Sequence, residues 1–181
     1  VSETRGEVQE SLEKYGKSPV DRLYDLGVAR AGSVFAHGVH LSESDQRLLA
    51  SSKTAVVYNP ESNMKLGAGV APIPSLLAAG VTVGLGTDGS ASNNSLNLFS
   101  EMDSGAKLQK LSHSSCTAMT AAQALKLATW GGAHALGMGD LVGSLEVGKR
   151  ADLIVIDPRY PHLMPMNDLV SHLVYSTSGL E

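Results

Sequence analysis

Three apolar runs, starting at Ser33, Thr54 and Val81, stand 21 and 27 residues apart, and each gives way to a polar turn and a helix-like stretch. Ser33–Ala36 reaches His37 and is followed by a Ser/Glu/Asp-rich helix start at Ser42–Asp45 and a helical stretch through Ala50. Thr54–Tyr58 ends in the turn signal Asn59-Pro60 and leads into Ser62–Gly69. Pro72–Ala79 reads as a helix, and Val81–Leu85 as a buried strand that stops at Gly86-Thr87-Asp88-Gly89. Further helices are expected over Leu96–Leu111 and Thr120–Ala128. Strands that are continuously apolar and alternate with helices predict a parallel sheet covered on both faces, so the fold class is α/β. The spacing suits βα units of a barrel or of an open sheet. Near Gly137 the style changes: Asp140–Asp152 is turn-rich, and an apolar strand is expected at Leu153–Ile156, as part of a small β element outside the helical layer.

Composition narrows the function classes. Fourteen Lys and Arg against 18 Asp and Glu, a formal net charge of −4, leave no basic footprint for nucleic acid or an acidic membrane. The apolar region Val70–Leu85 is broken by Pro72, Pro74, Gly80 and Gly84, far short of the roughly 18 uninterrupted residues that a membrane span needs. A soluble, cytoplasmic protein is expected. Cys116, the one cysteine, permits no intrachain disulfide and excludes a Cys-rich zinc site. Val1-Ser-Glu-Thr has no initiator Met, basic n-region or apolar h-region, so the chain is expected to begin mid-domain, as a piece of a larger protein.

In parallel α/β folds the reacting groups follow the C-terminal ends of strands. Glu3, His37 and Asp88 occupy such positions, 34 and 51 residues apart. Carboxylates and an imidazole converging at such a mouth bind a divalent metal and handle the protons of its water. Each residue also has a plain alternative: His37 as a hydrogen-bonded structural group, Asp88 as an Asx-turn residue beside Gly86 and Gly89, Glu3 as a solvated charge. His40 reads as a loop residue, and His113, His134, His162 and His172 as structural or surface residues.

Longer strings are more specific. Ala36-His-Gly-Val-His-Leu41, Tyr58-Asn-Pro-Glu-Ser-Asn-Met-Lys-Leu-Gly67 and the stretch from Leu85 through Asp88 and Ser92-Asn93-Asn94 to Met102 resemble, in this order, the amidohydrolase superfamily. The resemblance is closest to the methylthioadenosine/S-adenosylhomocysteine deaminases, with guanine deaminases and triazine chlorohydrolases as neighbours. Gly143–Asp157 resembles the strand by which such enzymes return to their small β domain.

The resemblance implies the C-terminal half of a (β/α)8 TIM-type barrel over residues 1–138, with residues 139–181 as an incomplete return to a small β-sandwich. It implies one divalent metal ion, zinc first, with iron or manganese as alternatives, and a small-molecule purine nucleoside or related heterocycle as substrate. Asp88 matches the aspartate that binds the metal and takes a proton from its water. His37 matches the histidine that steadies the attacking oxygen. Glu3 matches the glutamate that contacts the ring nitrogen and shuttles the proton. Ser62–Gly67 is expected to line the pocket, and a homo-oligomer is expected.

Two features depart from the family pattern. No two of the six histidines stand two apart, so the first-strand His-x-His pair is missing, and the fifth-strand histidine would immediately precede Val1. Three readings remain open: an adenine-nucleoside deaminase, a relative acting on guanine, 8-oxoguanine or a chlorinated triazine, and a noncatalytic fragment without a complete metal site. The cytidine-deaminase type of zinc site is excluded, because it needs several cysteines.

Overall fold

The computed structural model describes all 181 residues. The chain opens with α1 (Arg5–Tyr15), started by the Thr4 hydroxyl, which accepts from the Glu7 amide, and ended by Gly16 at φ 67°. Next comes α2 (Pro19–Asp25), capped by Ser18 with Pro19 in its first turn. The βα alternation then follows: β1 (Val34–Ala36), α3 (Glu43–Ser52), β2 (Ala55–Tyr58), α4 (Pro60–Lys65), α5 (Ile73–Ala78) and β3 (Val83–Leu85). Ser42 and Asp45 form a reciprocal capping box at the start of α3.

The three strands form one parallel sheet in the order β1-β2-β3, with Val34 opposite Ala55 and Val56 opposite Val83. All three apolar runs therefore become strands, each shorter than its run by one or two residues. The central strand is buried almost completely, Val56 and Tyr58 at 0% exposure. Val20, Leu49, Ile73, Leu76, Met102 and Ala106 complete the core around it. Burying one such side chain stabilises a fold by about 1.5–3 kcal/mol.

Beyond the sheet lie α6 (Leu98–Ser112), α7 (Ala121–Lys126), a π-helical turn at Leu127–Gly131, and α8 (Gly132–Ala135). The helix expected over Thr120–Ala128 thus widens into a π turn. Its end packs on β3 so closely that a Cβ on Gly131 would fall 2.3 Å from the Val83 carbonyl oxygen. Only glycine lets the two backbones meet there.

Residues 139–181 contain turns, a short 3-10 turn at Pro161–Leu163 and α9 (Leu169–Tyr175), but no strand. The strand expected at Leu153–Ile156 is not formed. No neighbouring segment offers it a ladder of backbone partners, and Leu153, Ile154 and Val155 stay exposed. No helix is long and apolar enough to cross a membrane.

Candidate functional site

The C-terminal ends of the strands gather the expected residues at one edge of the sheet. Val1 and Ser2 run beside the end of β1: the Val1 amino group donates to the Ala36 carbonyl, and the Gly38 and His40 amides donate to Val1 and Ser2. Glu3 is thereby delivered next to His37. The Glu7 carboxylate fixes the entering chain by accepting from the Ser2 amide at 2.9 Å and the Glu3 amide at 2.7 Å. Glu3 Oε2 then lies 3.8 Å from His37 Nε2, within ion-pair reach but too long for a direct hydrogen bond. Both groups keep capacity for a third partner.

Asp88 follows β3. Its Oδ2 accepts from Ser62 Oγ and from Ser92 Oγ, each at 2.7 Å. The Ser92 and Ser62 hydroxyls hold its carboxyl below the ordinary aspartate range, with burial opposing them and the Gly89 amide and His37 adding to them. The carboxylate is therefore ionised at neutral pH. His37 and Asp88 both adopt the left-handed backbone region, with φ 73° and 60°. Such conformations cost about 1–3 kcal/mol for residues other than glycine and persist where surrounding structure imposes them.

Helix α4 joins these two residues. Asn63 Nδ2 lies 3.0 Å from His37 Nδ1, while the adjacent Ser62 holds Asp88. The sequence pointed to this segment as a pocket lining. The structure buries Ser62 and Asn63 completely and turns them toward the two site residues.

A fourth carboxylate, which sequence reasoning passed over, lies beneath. Glu101 on α6 is 0% exposed and accepts from the Glu61 amide at 3.2 Å and from Asn93 Nδ2. Asn93 Nδ2 also donates to the Thr87 carbonyl at 2.9 Å, so Glu101 braces the loop that carries Asp88. Burial pushes its carboxyl up to about 7, outweighing those two donors, and the Glu61 and Asp88 charges push in the same direction.

Four cavities, among them an 860 Å³ cleft between α1 and α3 and an 850 Å³ apolar groove between α6, α8 and Leu153–Ile156, are lined by none of Glu3, His37 and Asp88. The other histidines lie elsewhere: His40 bonds the Ala68 carbonyl at 2.8 Å, and His134 stacks on Trp130.

A divalent ion needs several converging donors, and no group of three or more His, Cys, Asp and Glu side chains in this chain is arranged to hold one. Asp88, ionised and held by two serines, suits one position of such an ion's shell.

The amidohydrolase family profile matches residues 1–180. The chain belongs to the amidohydrolase family. It is 50% identical over 179 residues to a 5-methylthioadenosine/S-adenosylhomocysteine deaminase of Caldanaerobacter subterraneus subsp. tengcongensis, covering 99% of this chain and 41% of that protein. The amidohydrolase chain also superposes on a zinc-bound adenosine deaminase from Xanthomonas campestris with a TM-score of 0.94 and 42% identity, covering 98% of this chain and 40% of that one. An atrazine chlorohydrolase from Arthrobacter aurescens, complexed with zinc, gives a TM-score of 0.89 at 29% identity, covering 94% of this chain and 38% of that one. The chain thus spans about two-fifths of the length of the relatives that it matches.

Proposed function

We propose that these residues are the C-terminal part of a hydrolytic deaminase acting on an adenine nucleoside such as methylthioadenosine or S-adenosylhomocysteine. In this reading residues 1–138 complete a (β/α)8 barrel begun upstream, and residues 139–181 lead back to a small β domain. The observation that carries it is the convergence of Glu3, His37 and Asp88 at one sheet edge, two of them tied together by adjacent residues of α4. The similarity to deaminases along the whole chain supports it.

The overall reaction adds water to the ring carbon bearing the amine, and ammonia leaves. A divalent ion, zinc by analogy with the zinc-bound relatives, would make water nucleophilic near neutral pH, with Asp88 as one of its ligands. Asp88 is held ionised and so can take a proton at its oxygen. Glu3, with its carboxylate free of side-chain hydrogen bonds to the protein, contacts the ring nitrogen and carries the proton toward the leaving amine. His37 steadies the attacking oxygen.

The test is ammonia release by the full-length, zinc-supplemented protein from methylthioadenosine, S-adenosylhomocysteine, adenosine, guanine and a chlorinated triazine. Turnover of the adenine nucleosides, lost in Asp88→Asn, is expected. Activity on guanine alone, or chloride release from the triazine alone, would replace this substrate class. No turnover of any of them by protein containing stoichiometric metal would leave a noncatalytic protein.

A further inference from the structure

Residues 61–63 tie three separate parts of the molecule to one turn of helix. The Glu61 amide donates to Glu101 at 3.2 Å, Ser62 Oγ to Asp88 at 2.7 Å, and Asn63 Nδ2 approaches His37 Nδ1 at 3.0 Å. The reason is geometric. β2 is the central strand, so the helix that follows it starts between the loops after β1 and β3. The Glu61 contact uses a backbone amide that the first turn of the helix leaves free, while the side chains of Ser62 and Asn63 point about 100° apart.

The contact between Asn63 and His37 has a direction that can be worked out. Asn63 is 0% exposed, and its Oδ1 has no hydrogen-bond partner. With the amide nitrogen toward the imidazole, the unpaired buried atom is a carbonyl oxygen. The atom that faces the ring is the amide nitrogen, which donates and cannot accept. Asn63 therefore donates, and His37 Nδ1 accepts. A neutral imidazole that accepts at Nδ1 carries its hydrogen on Nε2, the nitrogen that faces Glu3 at 3.8 Å.

We propose that Asn63 is a positioning residue that locks His37 in the Nε2–H tautomer, so that the ring meets the reacting centre as a hydrogen-bond donor and neither as a base nor as a metal ligand. The tautomer stands on this chain's geometry alone. Its catalytic consequence rests on the deaminase reading: an N–H at that position stabilises negative charge growing on the attacked carbon's oxygen.

The experiment is 15N-histidine NMR of the full-length protein at about pH 8. The His37 resonances are assigned by their disappearance in His37→Gln. The wild type should show hydrogen on Nε2. In Asn63→Asp the new carboxylate can only accept, which should move the hydrogen to Nδ1. That variant should lose about 10- to 100-fold in kcat, the scale for groups that orient a reacting residue, with KM little changed. Hydrogen on Nδ1 in the wild type would overturn the proposal, as would the same tautomer in both proteins. The wild-type spectrum decides even where Asn63→Asp does not fold. Should no nucleoside be deaminated while the tautomers come out as expected, the substrate reading falls and the assignment of Asn63 stands.

Discussion

Ala55–Tyr58 and Leu153–Ile156 are both runs of four apolar residues, and their fates are opposite. The first is the central strand, laddered on both sides, with Val56 and Tyr58 at 0% exposure. The second pairs with nothing, and its Ile154 and Val155 are 73% and 83% exposed. Their β propensity is similar, so composition does not separate them. The difference lies in what surrounds each run: a strand on either side and packed core side chains in one case, and a single apolar groove against α6 and α8 in the other. An apolar run is a demand for partners, and it becomes a strand only where the chain supplies them.

Hydrogen exchange offers the largest effect by which that contrast can be broken. In the 181-residue chain the amides of Ala55–Tyr58 should be protected more strongly than those of Leu153–Ile156 by a factor on the order of 10³ or more. Equal protection would remove the contrast. Protection of the second run gained only in the full-length protein would sharpen it, by showing that its partner strand lies outside these residues. Tyr58→Ala empties a fully buried site and removes one of the two acceptors of the Gln109 amide, which donates to the phenol at 3.1 Å and to the Ala71 carbonyl at 2.9 Å. It should cost about 3–5 kcal/mol in urea unfolding.

Glu101, in the same packed region, adds a pH test. Its folded-state carboxyl, raised to about 7, favours the protonated form, so stability is full below the unfolded-state value near 4.5 and falls as pH rises through 7. Glu101→Gln should abolish that fall, worth up to about 3 kcal/mol, as read from urea midpoints on either side of the window. Val155→Ala, on the exposed run, should change stability by less than about 0.5 kcal/mol. A cost approaching that of Tyr58→Ala would show that the tail is packed after all.

Much of the packed region was legible from the sequence. The three strands announced themselves as unbroken apolar chain, although β1 buries only its central Phe35, and His37 and Asp88 stand where those strands end. Helix α1 was not read, because Arg5–Tyr15 is mostly polar and buries little. The Thr4-x-x-Glu7 spacing was its available signal. Glu101 gave no signal at all: on a helix that also carries Asp103 and Lys107 it looks like surface charge, and only the tertiary approach of α4 and the Asp88 loop buries it. The job of Asn63 was equally invisible, since it depends on β1 and β2 being neighbours. The strand expected at Leu153–Ile156 failed for the complementary reason, because a local pattern carries no information about who stands beside it.

His37 and Asp88, the residues proposed to meet the substrate, hold backbone shapes that an L-amino acid adopts reluctantly. Glycine at either position would relieve that tension and delete the side chain. A selection for heat resistance alone, applied to this protein, would thus be drawn toward dismantling its own machinery, and durability screens should carry an activity filter at these two positions.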